Sequence, residues 1–184
     1  PGLRAGSALV VPLVALLVTV LGFWNARRTA RVVRVDVPVA ALPAALEGFT
    51  VAQITDIHVG PTIKQHYLQA IVHKVNALEA DMVAITGDLV DGKVHELADH
   101  VAPLAQLRSR HGSFFFTGNH EYYSGAHAWM AELRRLGVRV LMNEHVVLQQ
   151  NQAAVVLANI ADFHAARFHP SHRSDPHAAI AGAP

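Results

Sequence analysis

The sequence predicts an α/β protein, a layered mixed β-sheet flanked by helices, carried behind an N-terminal transmembrane helix. Three observations predict it. One uncharged apolar run, residues 8–24, lies near the start of the chain. Short apolar runs of strand length then alternate with amphipathic helical stretches, the pattern of a sheet with helical crossovers. Three of those short runs end in clusters of Asp, His, Asn and Gly.

The apolar run comes first. As a helix rising about 1.5 Å per residue, residues 8–24 span roughly 25 Å, the low end for crossing a bilayer. Pro12 sits near the start of this run, where a proline costs a helix least. Arg4 precedes the run, and Arg27, Arg28, Arg31 and Arg34 follow it. Trp24 falls where an interfacial aromatic belongs. These features predict an anchor in the cell membrane, with one pass or more. The arginines place the following domain on the cytoplasmic side. One rival is a cleaved signal peptide, weakened because the charges lie mainly after the run and no small-x-small cleavage site follows it. The other is a buried core helix. The first residue is Pro1 rather than Met, so further residues are expected before it.

After the arginines, Val33, Val35 and Val37 alternate with polar partners and predict a strand. Residues 38–48 form a connector. Residues 49–54 are a strand that stops at Thr55-Asp56. Gly60-Pro61-Thr62 opens a helix with Thr62 as its cap. Ile63, Tyr67, Ile71, Val75 and Leu78 share one face of that helix. Residues 82–86 are a second strand, ending at Gly87-Asp88. Residues 95–108 are helical, interrupted at Pro103. Residues 113–117 are a third strand, ending at Gly118-Asn119-His120. Residues 124–136 form a helix closed by Gly137, followed by a strand at 138–141. Residues 146–149 and 153–158 flank a polar Gln-Asn-Gln turn and predict a hairpin, which makes the sheet content mixed. Asp175-Pro176 opens a short helix.

Composition narrows the chemistry. With 15 basic and 14 acidic side chains and no charged block, nothing argues for a specific nucleic-acid partner. The chain has no cysteine, which excludes disulfides and thiolate-bound zinc. It has 13 histidines, so any transition-metal site must use imidazole, carboxylate and amide ligands.

The polar clusters are Asp56-Ile57-His58, Gly87-Asp88-Leu89-Val90-Asp91-Gly92 and Gly118-Asn119-His120-Glu121. In a parallel sheet with helical crossovers such strand ends share one edge, and ligands bind there. An Asp, a His, another Asp and an Asn then converge. Glycines beside them let the backbone turn sharply. Carboxylates and a carboxamide suit hard cations, and imidazole suits Fe, Zn or Mn. A carboxylate can bridge two ions that clamp an in-line phosphoryl displacement. Each cluster alone reads equally as a turn, or as a turn with a helix start. Their order, each on a strand end with a helix between, is what carries weight.

The run Asp-x-His, Gly-Asp-x-x-Asp-Gly and Gly-Asn-His-Glu is similar to the signature of calcineurin-like metallophosphoesterases. The resemblance runs from about Val32 to the chain end. It implies two domains: residues 1–31 as membrane anchor and basic flank, and residues 32–184 as a partial metallophosphoesterase domain. It also implies hydrolysis of phosphodiesters or phosphomonoesters at a binuclear centre of two divalent transition metal ions, Mn, Fe or Zn. By the resemblance, Asp56 and His58 bind the first ion, Asp88 bridges both and Asn119 binds the second. His120 assists the leaving group, and Asp91 orients His120. Glu121 belongs to the motif as a structural residue. The apolar anchor resembles the membrane-associated bacterial branch, so the phosphate-ester substrate is expected to be lipid-linked or nucleotide-containing. The competing expectation is a catalytically inactive, membrane-bound remnant or binding protein.

The chain departs from the family after Asn159-Ile160-Ala161-Asp162. The family supplies further histidine ligands from later strand ends, one within Gly-His-x-His, and neither motif is present. His164, His169, His172 and His177 sit in a Pro/Ser/Ala-rich stretch and read as surface or loop residues. The fold is therefore expected to be incomplete at the C-terminus, and these 184 residues to be inactive alone. His66 and His73 read as surface residues, residues 114–116 as a core strand, and Trp129 and Met130 as helix core.

Overall fold

The computed structural model describes the backbone of residues 2–184 and the side chains of residues 8–184. The chain divides into two compact units between Val35 and Asp36.

The first unit is dominated by one helix, α1 (Gly2–Ala26). Its apolar stretch Ala8–Ala26 covers 19 residues with mean hydropathy 2.2, and none of it is buried. Nineteen residues of helix reach about 28 Å, enough to cross a hydrocarbon core. Arg27 lies over the Phe23 ring at 4.3 Å and Arg28 over the Trp24 ring at 5.2 Å, pairing aromatics with cations at one end of the span. Pro12 is not near the helix start, as the sequence suggests, but ten residues into it. It removes one N–H from the helical ladder, and the turns on both sides carry the helix through.

The strand expected at Val33, Val35 and Val37 does not form. All three side chains are largely exposed. Alternation alone is insufficient, because a strand needs a neighbour for its N–H and C=O groups.

The second unit is built on a parallel sheet in the order β1 (Val51–Ile54), β2 (Met82–Thr86), β3 (Ser113–Phe116), β4 (Arg139–Val140). Successive residues point to opposite faces of a strand. Accordingly Ile54, Val83, Ile85, Phe115 and Val140 enter one core, with Leu68, Val72, Trp129 and Leu133. Met82, Ala84 and Phe114 enter a second core with Leu141 and Leu148. The first core lies under helices α2 (Gln65–Asn76), α3 (Val94–Val101) and α5 (Ala126–Arg135). The second is covered by the antiparallel hairpin β5 (Glu144–Gln150) and β6 (Ala153–Asn159), which forms its own two-stranded sheet. Parallel and antiparallel pairing thus both occur, in separate layers.

Asp81 sets the start of the sheet. Its carboxylate accepts the Thr50 backbone N–H at 2.8 Å and the Thr50 hydroxyl at 3.0 Å, and meets Arg110 at 3.0 Å.

Several boundaries differ from the sequence reading. Thr62 caps nothing; α2 starts three residues later, at Gln65, with no side-chain cap at Lys64. The helix expected from Ser124 splits into α4 (Asn119–Ser124) and α5, joined at Gly125, whose φ of 99° continues no helix. The strand expected at 138–141 keeps only Arg139–Val140. After β6 come short 3₁₀ turns, Ala165–Arg167 and Pro170–His172, and then α6 (Pro176–Ile180). Asp175 caps α6 by accepting the Ala178 N–H at 2.9 Å.

Candidate metal centre

The loops after β1 and β2 continue side by side beyond the strands that carry them. Asp56 N–H donates to the Gly87 carbonyl at 3.3 Å, His58 N–H to Asp88 at 3.1 Å, and Val59 N–H to Leu89 at 2.8 Å. Asp91 N–H returns to the Val59 carbonyl at 2.8 Å. Ile57, Val59, Leu89 and Val90 point into the core, and the polar residues between them face outward. Hydrophobic alternation therefore aims Asp56, His58, Asp88 and Asp91 toward one edge of the sheet.

Three of those four have left-handed backbones: Asp56 at φ 52°, His58 at 52° and Asp88 at 50°. A non-glycine residue there costs about 1–3 kcal/mol and persists only where its surroundings over-determine it. Here the loop-to-loop hydrogen bonds do so. Such strain gathers where side-chain placement matters more than backbone comfort.

The third loop closes on the second through two glycines. A Cβ on Gly87, whose φ is 83°, would lie 2.5 Å from the Gly118 nitrogen. A Cβ on Gly118 would overlap the Asp88 carboxylate and lie 2.6 Å from the Asp88 nitrogen. Only glycine lets the ends of β2 and β3 approach this closely.

Glu121 locks that contact. It is fully buried, and its carboxylate accepts the N–H groups of Gly118 at 2.7 Å, Leu89 at 2.8 Å and Asp88 at 3.1 Å. Burial pushes its carboxyl above the usual range; the three N–H groups hold it down, and the Asp88 charge pushes it up again. With its oxygens committed to the backbone, Glu121 braces the loops.

The candidate side chains meet as follows. Asp56, His58 and Asp88 each offer one ligand atom, all within 4.8 Å of one another. His58, Asp91 and His120 do the same. Asp91 Oδ1 lies 3.0 Å from His58 Nδ1 and 2.6 Å from His120 Nδ1, and the two rings meet edge to face with centroids 4.5 Å apart. His120 N–H donates to Asp88 Oδ1 at 3.1 Å. Asn119 opens α4 beside His120 and is half-buried. The family resemblance implies Asp91 beside His120; the structure brings it to His58 as well, 33 residues away, a contact no local spacing signals.

The electrostatics follow from these contacts. Burial works to raise the Asp91 carboxyl, but hydrogen bonds from His58 and His120 outweigh it and hold it below the usual range. Burial works to lower His58, but Asp91, Asp88 and Asp56 outweigh it and hold the imidazole above its ordinary value.

One neighbour went unread in the sequence. Tyr123 packs edge-on against His120 with centroids 5.4 Å apart, and against Phe168 at 5.5 Å. Its place three residues after His120 on one short helix is the signal that could have found it. Trp129, read as helix core, also donates its indole N–H to the Gly92 carbonyl at 2.9 Å, tying α5 to the second loop. His66 and His73 are exposed, as expected. His169 and His172 are not loose loop residues: both pack against Tyr122 and His127. Burial and repulsion from the other two imidazoles lower the pKa of His172.

A family model described as calcineurin-like phosphoesterase matches residues 49–176. The chain is 37% identical over 175 residues to a zebrafish (Danio rerio) transmembrane protein with metallophosphoesterase domain, covering 92% of this chain and 40% of that protein. It is 39% identical over 183 residues to the Bos taurus protein of the same description, covering 93% of this chain and 41% of that one. It is 32% identical over 80 residues to the UDP-2,3-diacylglucosamine pyrophosphatase LpxG of Chlamydia muridarum, covering 43% of this chain and 24% of that protein. The chain thus spans about 40% of the length of the transmembrane relatives it matches.

Proposed function

Because the chain belongs to the calcineurin-like phosphoesterase family, whose members are metal-dependent hydrolases of phosphate esters, we propose that its strand-end cluster forms part of a binuclear centre for phosphate-ester hydrolysis at a membrane. The observation that carries this reading is the convergence of Asp56, His58 and Asp88, each offering an atom within 4.8 Å of the others from a strained backbone. The donor set fits divalent Mn, Fe or Zn, since it mixes carboxylates with imidazole and contains no thiolate.

Asp56 and His58 would hold the first ion and Asn119 the second, with Asp88 shared between them. Ions bound there supply Lewis-acid polarisation of phosphoryl oxygens and a nucleophilic water at neutral pH. Asp91, ionised at neutral pH, accepts the Nδ1–H of His120 and so fixes its tautomer. In its imidazolium form His120 would carry a second proton, at Nε2, available for the leaving oxygen. Glu121 and the glycine pair keep Asp88 in register with Asn119 and His120.

The apolar helix and the likeness to transmembrane relatives favour a membrane-anchored protein, with residues 1–31 as anchor and basic flank and residues 32–184 as the hydrolase portion. Arg27, Arg28, Arg31 and Arg34 favour a cytoplasmic domain. The likeness to LpxG favours a lipid-linked phosphate or pyrophosphate as substrate over a soluble monoester.

Counting ligands bears on activity. Asp56, His58, Asp88 and Asn119 leave each ion short of protein donors. The 184 residues alone are therefore expected to pellet with membranes, bind Mn²⁺ weakly and hydrolyse bis(p-nitrophenyl) phosphate no faster than background. In a protein of the relatives' full length built around these residues, metal-dependent hydrolysis is expected. There Asp88→Asn should lower turnover by about 100-fold or more, because it weakens both metal sites. Near wild-type turnover of Asp88→Asn in saturating metal would remove Asp88 as the bridge. A full-length protein with no metal-dependent hydrolysis would favour an inactive binding protein instead.

A further inference from the structure

Asp91 touches two histidines with different proposed tasks, His120 beside the leaving group and His58 at the first ion. Its Oδ1 and Oδ2 lie 3.0 Å and 3.2 Å from His58 Nδ1, so both carboxylate oxygens face that nitrogen. We propose that Asp91 is a positioning residue for His58: it keeps the proton of that imidazole on Nδ1, leaves Nε2 for the group with Asp56 and Asp88, and so ties a metal ligand and His120 to one carboxylate. The inference rests on the reading of Asp56, His58 and Asp88 as the group for the first ion.

Proton placement supports it. An ionised carboxylate has acceptors only, so an imidazole nitrogen at hydrogen-bond distance from it carries the proton. In neutral His58 the lone pair then sits on Nε2. That atom lies 3.9 Å from Asp56 Oδ1, within the group that Asp56, His58 and Asp88 form. A carboxylate on the second nitrogen of a ligating histidine fixes its tautomer and ring orientation and raises its basicity.

The distances favour a support over a ligand. Asp91, His58 and His120 also offer atoms within 4.8 Å of one another. Two ligand atoms about 2.1 Å from one tetrahedral ion sit about 3.4 Å apart. Asp91 Oδ1 is 2.6 Å from His120 Nδ1 and 3.0 Å from His58 Nδ1, which are hydrogen-bond separations.

The backbone places Asp91 beside His58 without help from His120. Val59 and Val90 form a parallel bridge, and the Asp91 N–H donates to the Val59 carbonyl at 2.8 Å. The His58 N–H donates to the Asp88 carbonyl at 3.1 Å. A Cβ on Gly60 would lie 3.0 Å from Asp91 Cβ, so the glycine leaves Asp91 its room. With both backbones pinned, the freedom left to His58 is rotation of its side chain. The Asp91 carboxylate and the edge contact with the His120 ring set that rotation.

The test uses the whole chain in detergent and two readouts. The first is ¹⁵N-histidine NMR of the metal-free chain, at a pH well above the imidazole range, with His58→Gln to assign the signal. The parent should show His58 with Nδ1–H and a bare Nε2. Asp91→Ala should shift it toward the Nε2–H tautomer, while exposed His66 stays unchanged. Asp91→Asn, whose oxygen still accepts one N–H, should fall between the two. The second readout is Mn²⁺ binding, followed by the electron paramagnetic resonance of the free ion. Asp91→Ala should lower the affinity about tenfold or more at constant stoichiometry, and should do so equally in a His120→Ala background. Circular dichroism checks that the variants stay folded. His58 carrying Nε2–H in the parent, which needs no variant to observe, would overturn the proposal. So would Mn²⁺ affinity unchanged by Asp91→Ala, an effect that vanishes without His120, or loss of a whole ion, which would make Asp91 a ligand. A parent that binds no Mn²⁺ at all would instead sink the reading of the first-ion group, and this inference with it.

Discussion

Two groups of histidines in this chain pack at nearly the same ring separation in opposite electrostatic settings. His58 and His120 meet with centroids 4.5 Å apart, and Asp91 lies against both. His127 and His169 meet at 4.3 Å, and among the described residues neither they nor His172 forms an ion pair. Carboxylates raise the pKa of His58, while burial and neighbouring imidazoles lower that of His172. The backbones differ too. The first group hangs from loops pinned by Glu121 and held at left-handed φ, the second from 3₁₀ turns and a helix start. The difference teaches that ring proximity alone says little about a histidine. What surrounds the rings, and what their backbone costs to hold, separates the carboxylate-flanked cluster at the strand ends from the ring cluster on the turns after β6.

The largest expected effect would sharpen that contrast. In a protein of the relatives' length, His120→Ala should cost roughly 10²–10⁴ in turnover while bound-metal stoichiometry stays constant, the usual worth of positioned acid–base help. His66→Ala, on the exposed side of α2, serves as the control with unchanged turnover. Loss of metal with little change in turnover per bound ion would make His120 a ligand and break the division of labour between His58 and His120.

Glu121→Gln probes the brace beneath the first group. The amide would present N–H₂ toward backbone donors that now find an oxygen, leaving at least one buried N–H unpaired. A loss of about 1–3 kcal/mol is expected in thermal or urea unfolding. Metal affinity should fall with it, because Asp88 shares the brace. Metal loss without any change in stability would instead assign Glu121 to the ligand set.

The smallest effect lies far from both groups. Burial works to raise the Asp81 carboxyl, but the Thr50 hydrogen bonds and Arg110 hold it below the usual range. A carboxyl with a depressed folded-state pKa contributes stability above its unfolded pKa, near 3.9, and loses that contribution as pH falls through the folded value. Asp81→Asn should therefore cost about 1 kcal/mol at pH 7, and the gap to wild type should close below about pH 4. A gap that persists at low pH would mean that Asp81 acts through shape rather than charge.

Much of the fold is legible in the sequence. β2 falls on its expected residues because a continuous apolar run bounded by Asp81 and Gly87 has no other use. α6 and its Asp175 cap follow from an Asp-Pro helix start. The failures share a cause. The valines at 33, 35 and 37 alternate well but meet no partner strand, and partners are not written locally. α4 was missed because six residues are too few to show a period, and its existence rests on Glu121 reaching back to Gly118 and across to Asp88 and Leu89.

By itself the sequence determined an apolar helix of membrane-spanning length, the order of β1 to β6 with α2, α3, α5 and α6 among them, and three polar clusters at strand ends. Each of these is a local property of composition, period or spacing. Only the tertiary structure decided that Asp91 lies against His58 as well as His120, that Gly87 and Gly118 touch, and that His127 meets His169 and His172. Those contacts join residues about 30 to 45 positions apart. They exist because parallel strands with helical crossovers bring distant loops to one edge of the sheet, and because the turn Pro170–His172 packs its rings against Tyr122 and His127.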